Sequence, residues 1–328
     1  HETIENALPK AGGRREKDRR KENEQQKGGG GRYFFHTGHT LPYAPKEEIM
    51  RKTLGLALGS GGARGIAHIG FLQALEEAGI RPDYVTGCSM GAIVGACYCA
   101  GLPLETLREV ALSLKLSKIA TLNINPIRAN GLLRFNKARQ LLEQYLGDIT
   151  FEDLNIPFSC IAVDLAAGKV VELKEGSVID AILASSSIPG AFTPAVIGDK
   201  TLVDGGILER VPTKEVREMG AEVIVAVDVL GDLTAKKASP NLVDTLLRCI
   251  DIMDTRLTQR KKRSRARYID LWLEPELGAM DQYLVKNLDF ALDKGYELGV
   301  KYRDEIKALV EGDAEDKGEK GEGAPQGK

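Results

Sequence analysis

The chain has 328 residues, 43% of them hydrophobic, and a formal net charge of −2. That size allows one large or two smaller globular domains. The near balance of charge gives no reason to expect a nucleic-acid partner, and no apolar run reaches the roughly 18 residues of a membrane span.

Residues 1–50 include GGRREKDRRKENEQQKGGGGR, charged, Gly-rich and too poor in apolar side chains to offset the entropy of ordering. A disordered arm is expected there. Its basic run reads as a solvated linker or as an arm for anionic surfaces. No apolar signal core is expected at this end. The ordered body is expected over 51–310. It starts with TLGLAL (53–58), a short apolar run ending in glycines that reads as a buried strand. After the loop GSGGARG (59–65), IAHIGFLQALEEAG (66–79) has helical spacing, with Ile69, Leu72 and Leu75 on one stripe and Gly79 as the stop. DYVTG (83–87) is a second strand, followed by the turn GCSMG (87–91) and the helix AIVGACYCAG (92–101). Further strands are read at FSCIAVDL (158–165), KVVEL (169–173), TLVDG (201–205), AEVIVAVDV (221–229) and DLWLEP (270–275). Helices are read at 178–187, 213–220, 242–265 and 288–309. The tail 311–328 repeats the composition of the arm. Strands alternating with helices predict an α/β fold with a mostly parallel sheet covered on both faces.

The five cysteines, Cys88, Cys97, Cys99, Cys160 and Cys249, are odd in number, irregularly spaced and set in apolar contexts. They read as buried free thiols rather than as disulfide or zinc pairs, and a reducing, cytoplasmic location is the expectation.

Three stretches at predicted strand ends carry chemistry, where ligands bind in such sheets. Gly59-Ser60-Gly61-Gly62-Ala63-Arg64-Gly65 opens a helix, so its backbone N–H groups are free for a phosphate or an oxyanion. The spacing misses the dinucleotide fingerprint, because Arg64 stands where the third glycine belongs, and no lysine follows Gly65 as a P-loop requires. Gly87-Cys88-Ser89-Met90-Gly91 is a G-x-S-x-G turn between strand and helix, the setting of a nucleophile elbow; a helix N-cap serine is the plain alternative. Leu202-Val203-Asp204-Gly205-Gly206 puts a carboxylate at the end of an apolar strand, where an aspartate can also serve only the turn.

A nucleophilic serine needs a base. Histidines occur at His1, His36, His39 and His68, and none follows Ser89, so the Ser–acid–His order of α/β-hydrolases is impossible. The first three lie in the arm, and His68 sits on the glycine-loop helix, where packing or capping accounts for it. Asp204 is the best remaining base. Its reference pKa of about 4 is low for the task, and a desolvated site would raise it.

These pieces, GSGGARGIAHIGFLQALEEAG, GCSMGAIVGA, ASSSIPGAFTP and LVDGGILERVP, resemble in order the patatin-like phospholipase family, and in particular bacterial members similar to the neuropathy target esterase catalytic domain. The resemblance implies a three-layer α/β/α fold and a Ser89–Asp204 dyad without histidine. It implies Gly61, Gly62, Ala63 and Arg64 as the oxyanion hole, lipid esters such as (lyso)phospholipids as substrates, and no metal or cofactor. Two departures stand out. Ser60 replaces a glycine common in the loop, and Glu209-Arg210 replace a pair of asparagines before Val211-Pro212. RLTQRKKRSRAR (256–267) carries seven basic side chains, readable as a contact for anionic headgroups or as a solvated helix face. Three other functions are weighed: an acyltransferase using the same dyad, a nucleotide-binding module, and a regulatory protein that keeps the fold without the activity.

Overall fold

The computed structural model describes residues 51–125, 127–128, 130–232 and 241–312. The expected arm over 1–50 and all but the first two residues of the expected tail 311–328 lie outside the described residues; Glu311 still belongs to the last helix.

The chain enters the sheet at β1 (Leu54–Leu58), passes through a 3₁₀ turn at Gly62–Ile66 into α1 (Ala67–Glu77), and returns as β2 (Tyr84–Cys88). The helices α2 (Met90–Cys99), α3 (Leu104–Leu112) and α4 (Leu116–Ile119) follow. A small hairpin, β3 (Thr121–Leu122) and β4 (Gly131–Arg134), leads into α5 (Asn136–Leu146). Next come β5 (Phe158–Asp164), β6 (Lys169–Leu173), α6 (Val178–Ser185), β7 (Gly190–Phe192), β8 (Ala195–Ile197) and β9 (Lys200–Asp204). The last elements are α7 (Thr213–Glu218), β10 (Val223–Val227), α8 (Leu242–Arg265), β11 (Leu271–Leu273) and α9 (Leu288–Glu311).

Among the described residues the main sheet runs β11-β10-β1-β2-β5-β9-β8, with β6 on β5. The pairs from β11 through β5 are parallel. The strands β6 and β9 run against β5, and β8 runs against β9. The sheet is therefore mostly parallel, as expected, with two reversed strands. A separate three-stranded sheet orders β3-β4-β7.

The period-2 alternation of strand side chains sorts the core into layers. Leu54, Leu56 and Leu58 of β1, with Val223, Val225 and Val227 of β10, pack into a large cluster with α1, α2 and α9. Ala57, Ile224 and Ala226 point the other way, onto Val211, Val216 and Ala221 around α7. Consecutive residues of one strand thus serve opposite faces, and both faces are covered. This is why the central strands read as continuous apolar runs rather than as alternating ones. The fold is a three-layer α/β/α sandwich.

Candidate active site

The register of β5 explains how two distant residues meet. β2 ends at Cys88, paired with Ile161. β9 runs the opposite way and ends at Asp204, paired with Ala162, the next residue along β5. β6 occupies the other edge of β5 from Cys160 to Asp164, so β2 and β9 share one edge and meet end to end. The Cys88 Sγ lies 3.9 Å from Asp204 Oδ1. The next residue, Ser89, brings its hydroxyl within hydrogen-bonding influence of the same carboxylate.

Ser89 has φ 53° and ψ −119°, in a region that L residues avoid. Such a conformation costs about 1–3 kcal/mol and persists only where surrounding structure enforces it. Here the Ser89 N–H donates to Ser185 Oγ at 2.9 Å, and the Ser89 carbonyl accepts from Ala92 and Ile93 at the start of α2. A Cβ on Gly91 would stand 2.3 Å from the Leu58 carbonyl, and one on Gly87 2.5 Å from Ala92 Cα. Glycine at 91 lets the elbow press onto β1, and glycine at 87 lets the start of α2 fold back onto β2. The Ser89 hydroxyl makes no capping bond to α2, so the N-cap alternative does not describe it.

Asp204 is buried. Its N–H donates to the Ser187 carbonyl at 2.9 Å, and its Oδ1 accepts from the Gly206 N–H at 2.7 Å. It serves the turn as the plain reading held, but through one oxygen. Burial pushes its pKa up to about 6, while the Ser89 hydroxyl, the Gly206 N–H and the Cys88 thiol pull it down. The carboxylate is thereby a stronger base than a free aspartate yet still ionised at neutral pH.

The sequence places the end of α6 in a helix and in the resemblance, but its role in holding the site was missed. Ser185 accepts from Ser89, and Ser187 accepts through its carbonyl from Asp204, so one serine run holds both halves of the pair. Ser186 and Ser187 return their own hydroxyls to Ile182 and Leu183 one turn back. Three buried serines closing an apolar helix were the available signal.

The glycine loop lies over the elbow. Gly59 and Ser60 are tied by their N–H groups to Val227 and Arg210 carbonyls, both at 2.9 Å. Two of the four expected oxyanion donors are already committed: Ala63 donates to the Gln282 carbonyl at 2.9 Å and Arg64 to the Gly61 carbonyl at 3.0 Å. The Gly61 and Gly62 N–H groups have no hydrogen-bond acceptor among the described residues. Gly62 has φ 51°, and a Cβ there would reach within 2.3 Å of the Gln282 carbonyl, so that position accepts glycine alone. His68 is fully buried beneath the loop. Its Nε2 donates to the Gly59 carbonyl at 2.8 Å, and burial lowers its pKa to about 4. A neutral ring spent on holding the loop matches the packing role expected of it.

A cavity joins Ser89 and Asp204 to Gly62, Ile188, Pro189 and Tyr283. Its cover comes from α8 and the segment after β11. Asp251 of α8 accepts from Gln282 Nε2 at 2.9 Å and from Tyr283 Oη at 2.6 Å. Among the described residues no group of His, Cys, Asp and Glu side chains is assembled to hold a metal ion, and no helix is long and apolar enough to cross a membrane.

The two substituted residues, Glu209 and Arg210, anchor that cover. Arg210 is buried between Asp228 at 2.7 Å and Asp254 at 3.1 Å. Burial, reinforced by Asp228, raises Asp254 to about 7 despite the pull of Arg210. Buried Glu209 takes Lys261 and both arms of Arg265. The basic run 256–267 is thus partly structural: Lys261 and Arg265 turn inward, and Lys262 pairs with Glu274 at 2.8 Å. The cysteine expectation needs one correction. Cys88, Cys97, Cys99 and Cys160 are free and buried, but Cys249 is exposed, because it lies on the outer side of α8 rather than in the core.

A family model described as patatin-like phospholipase matches residues 56–217, a span that includes Ser89 and Asp204. An NTE family protein of Mycobacterium tuberculosis is 40% identical over 191 residues, which is 58% of this chain and 53% of that one. The neuropathy target esterase of Drosophila melanogaster is 36% identical over 186 residues, 54% of this chain and 13% of that one. The chain therefore matches about half the length of the bacterial relative and a small part of the insect one. Among solved structures, VipD from Legionella pneumophila is 15% identical with a TM-score of 0.49, over 78% of this chain and 67% of that one.

Proposed function

Since the match over residues 56–217 places this chain in the patatin-like phospholipase family, we propose that it is a serine acyl-ester hydrolase acting on (lyso)phospholipids or related lipid esters. Ser89 is the nucleophile and Asp204 the general base, within a working domain over 51–310. The observation that carries this reading is the end-to-end meeting of β2 and β9 on one edge of β5, which pairs a strained, uncapped serine with a buried carboxylate.

Asp204 takes the Ser89 hydroxyl proton as the oxygen attacks the acyl carbonyl. The Gly61 and Gly62 N–H groups receive the charge that develops on the carbonyl oxygen; removing one such donor costs about 10²–10³ in rate. Collapse of the tetrahedral intermediate expels the alcohol, which leaves with the proton from Asp204. In the second half Asp204 takes a proton from water, the hydroxide attacks the Ser89 ester, and the serine oxygen departs and recovers that proton. The raised pKa of Asp204 suits both directions of transfer. Ala63 and Arg64 act by holding the loop, and Ser185 and Ser187 by holding the pair. The buried free thiols support a reducing, cytoplasmic setting.

Labelling with an alkyl fluorophosphonate tests the assignment. The expected result is one adduct, found by peptide mass mapping on Ser89, and strongly slowed in Asp204→Asn. An adduct on another serine at the wild-type rate sinks the proposal.

A further inference from the structure

Near the cavity the chain inverts the ordinary order of a surface hairpin. Antiparallel pairs on soluble proteins turn apolar side chains inward and polar ones to water. Directly after β3 the inward group is polar. Asn123 donates to the Gly131 carbonyl and to Thr193 Oγ1, and accepts from Arg134. Its apolar neighbours face solvent: Leu122 is 81% exposed, Ile124 104% and Ile127 88%. Leu116, just before the hairpin, is 51% exposed. Clustered apolar exposure of this kind marks a contact surface rather than chance.

Charge identifies the contact. Between Glu109 and Glu143 the sequence holds Lys115, Lys118, Arg128, Arg134, Lys137 and Arg139 and no Asp or Glu; Arg139 is taken up by Asp180 and Glu143, and the block remains basic without it. The whole chain is net negative, so this basic block is a local feature. Basic side chains beside protruding aliphatic ones match an anionic lipid surface, where headgroups meet the charges and the acyl region meets the apolar groups. The position is also informative. β4 pairs with β7, Gly131 with Gly190 and Leu133 with Phe192, and Phe135 stacks on Phe192 with centroids 3.8 Å apart. The two residues before β7, Ile188 and Pro189, line the cavity that holds Ser89 and Asp204.

We propose that the β3–β4 hairpin is an interfacial anchor: Leu122, Ile124 and Ile127 enter an anionic bilayer, Arg128 and Lys115 meet its headgroups, and β7 carries that attachment to the rim of the catalytic cavity. The docking stands on the surface itself; only its purpose, delivering lipid to the dyad, rests on the hydrolase reading above.

The test uses the full chain in flotation with two kinds of vesicle, phosphatidylcholine alone and phosphatidylcholine with phosphatidylglycerol. Wild type binds the second at least tenfold better, and Leu122→Ser/Ile124→Ser/Ile127→Asp loses that binding tenfold or more. The variant still hydrolyses a soluble p-nitrophenyl ester within twofold of wild type. In parallel, Ile124→Trp, read against the wild-type signal of Trp272, shifts to the blue on anionic vesicles and is quenched by brominated lipid. Equal vesicle binding by wild type and triple variant, or no spectral shift from the introduced tryptophan, overturns the anchor. So does a wild-type dimer that the triple variant converts to monomer without altering vesicle binding, because the apolar face then serves a second copy of the chain. Vesicle binding that depends on the hairpin in a protein without esterase activity would leave the anchor standing and remove the hydrolase reading.

Discussion

Around Ser89 the chain buries polar groups, and at the β3–β4 hairpin it exposes apolar ones. Ser89, Asp204, His68, Ser185, Glu209 and Arg210 are all buried, whereas Leu122, Ile124 and Ile127 stand in solvent. Each arrangement works against folding, since buried polar groups must be repaid by partners and exposed aliphatic groups forgo about 1.5–3 kcal/mol each of burial. The two differ in how they are compensated. The elbow is enforced by hydrogen bonds from α2 and from the end of α6 and by close packing on β1, so changes there should register in stability. The hairpin is held by its own polar inner side, so its outer side chains should be thermodynamically silent until a second surface arrives. Polarity and burial disagree in both places, and the kind of compensation tells the candidate active site from the candidate contact.

Arg210→Leu should do the most damage. It leaves Asp228 and Asp254 buried without their shared cation, and removing one partner from a buried ion pair costs about 3–5 kcal/mol; urea unfolding at pH 7.5 reads it. A loss under about 1 kcal/mol would mean that the network does not hold α8 over the cavity.

Next in size is Asp204→Asn, with the opposite sign. The folded-state pKa of Asp204, about 6, lies above the ordinary carboxylate value of 3.8. Between those values the folded protein binds more protons than the unfolded chain, so stability falls as pH rises from about 4 to 6 and stays reduced above. Asparagine escapes that cost while keeping the Gly206 bond. It should raise stability at pH 8 by up to about 3 kcal/mol, and the gain should vanish near pH 4. No gain at pH 8 would show that the carboxylate is not held against its own burial.

Smaller still is the strain at the elbow. Ser89→Gly should be more stable than Ser89→Ala by about 1–2 kcal/mol, because glycine adopts φ 53° freely and alanine does not. Equal stabilities would mean that the backbone is relaxed there. At the far end of the scale, the triple hairpin variant should unfold within about 0.5 kcal/mol of wild type; a larger loss would mean that the hairpin is part of the core.

The same contrast governs what could be read beforehand. The strands β1, β2, β5 and β10 were legible because burial on both faces writes them as short apolar runs. The elbow and the glycine loop were legible because tight approach allows only small residues at fixed spacing. The segment from 102 to 157 carried no such signal: α5 has no buried residue, and β3, at two residues, is too short to show a period, as is β7 further on, at three. Glu209 and Arg210 were visible as departures from a familiar pattern, but their partners on α8 lie 44 to 56 residues away, and nothing local announces a pairing at that distance. Ala63 and Arg64 entered the oxyanion set through the resemblance, and two bonds separate them from Gly61 and Gly62: Ala63 to Gln282, far along the chain, and Arg64 to Gly61 within the loop itself.

The central claim is that Ser89 and Asp204 act as a pair with no histidine. Hydrolysis of p-nitrophenyl butyrate between pH 4 and 9 by wild type, Ser89→Ala and Asp204→Asn tests it most directly. The account predicts that both variants, folded by circular dichroism, lose activity by about 10³ or more, and that wild-type kcat/KM falls as pH drops below about 6, when Asp204 takes up a proton. Wild-type activity in Ser89→Ala, or an Asp204→Asn enzyme that keeps both its rate and its acid limb, would contradict it.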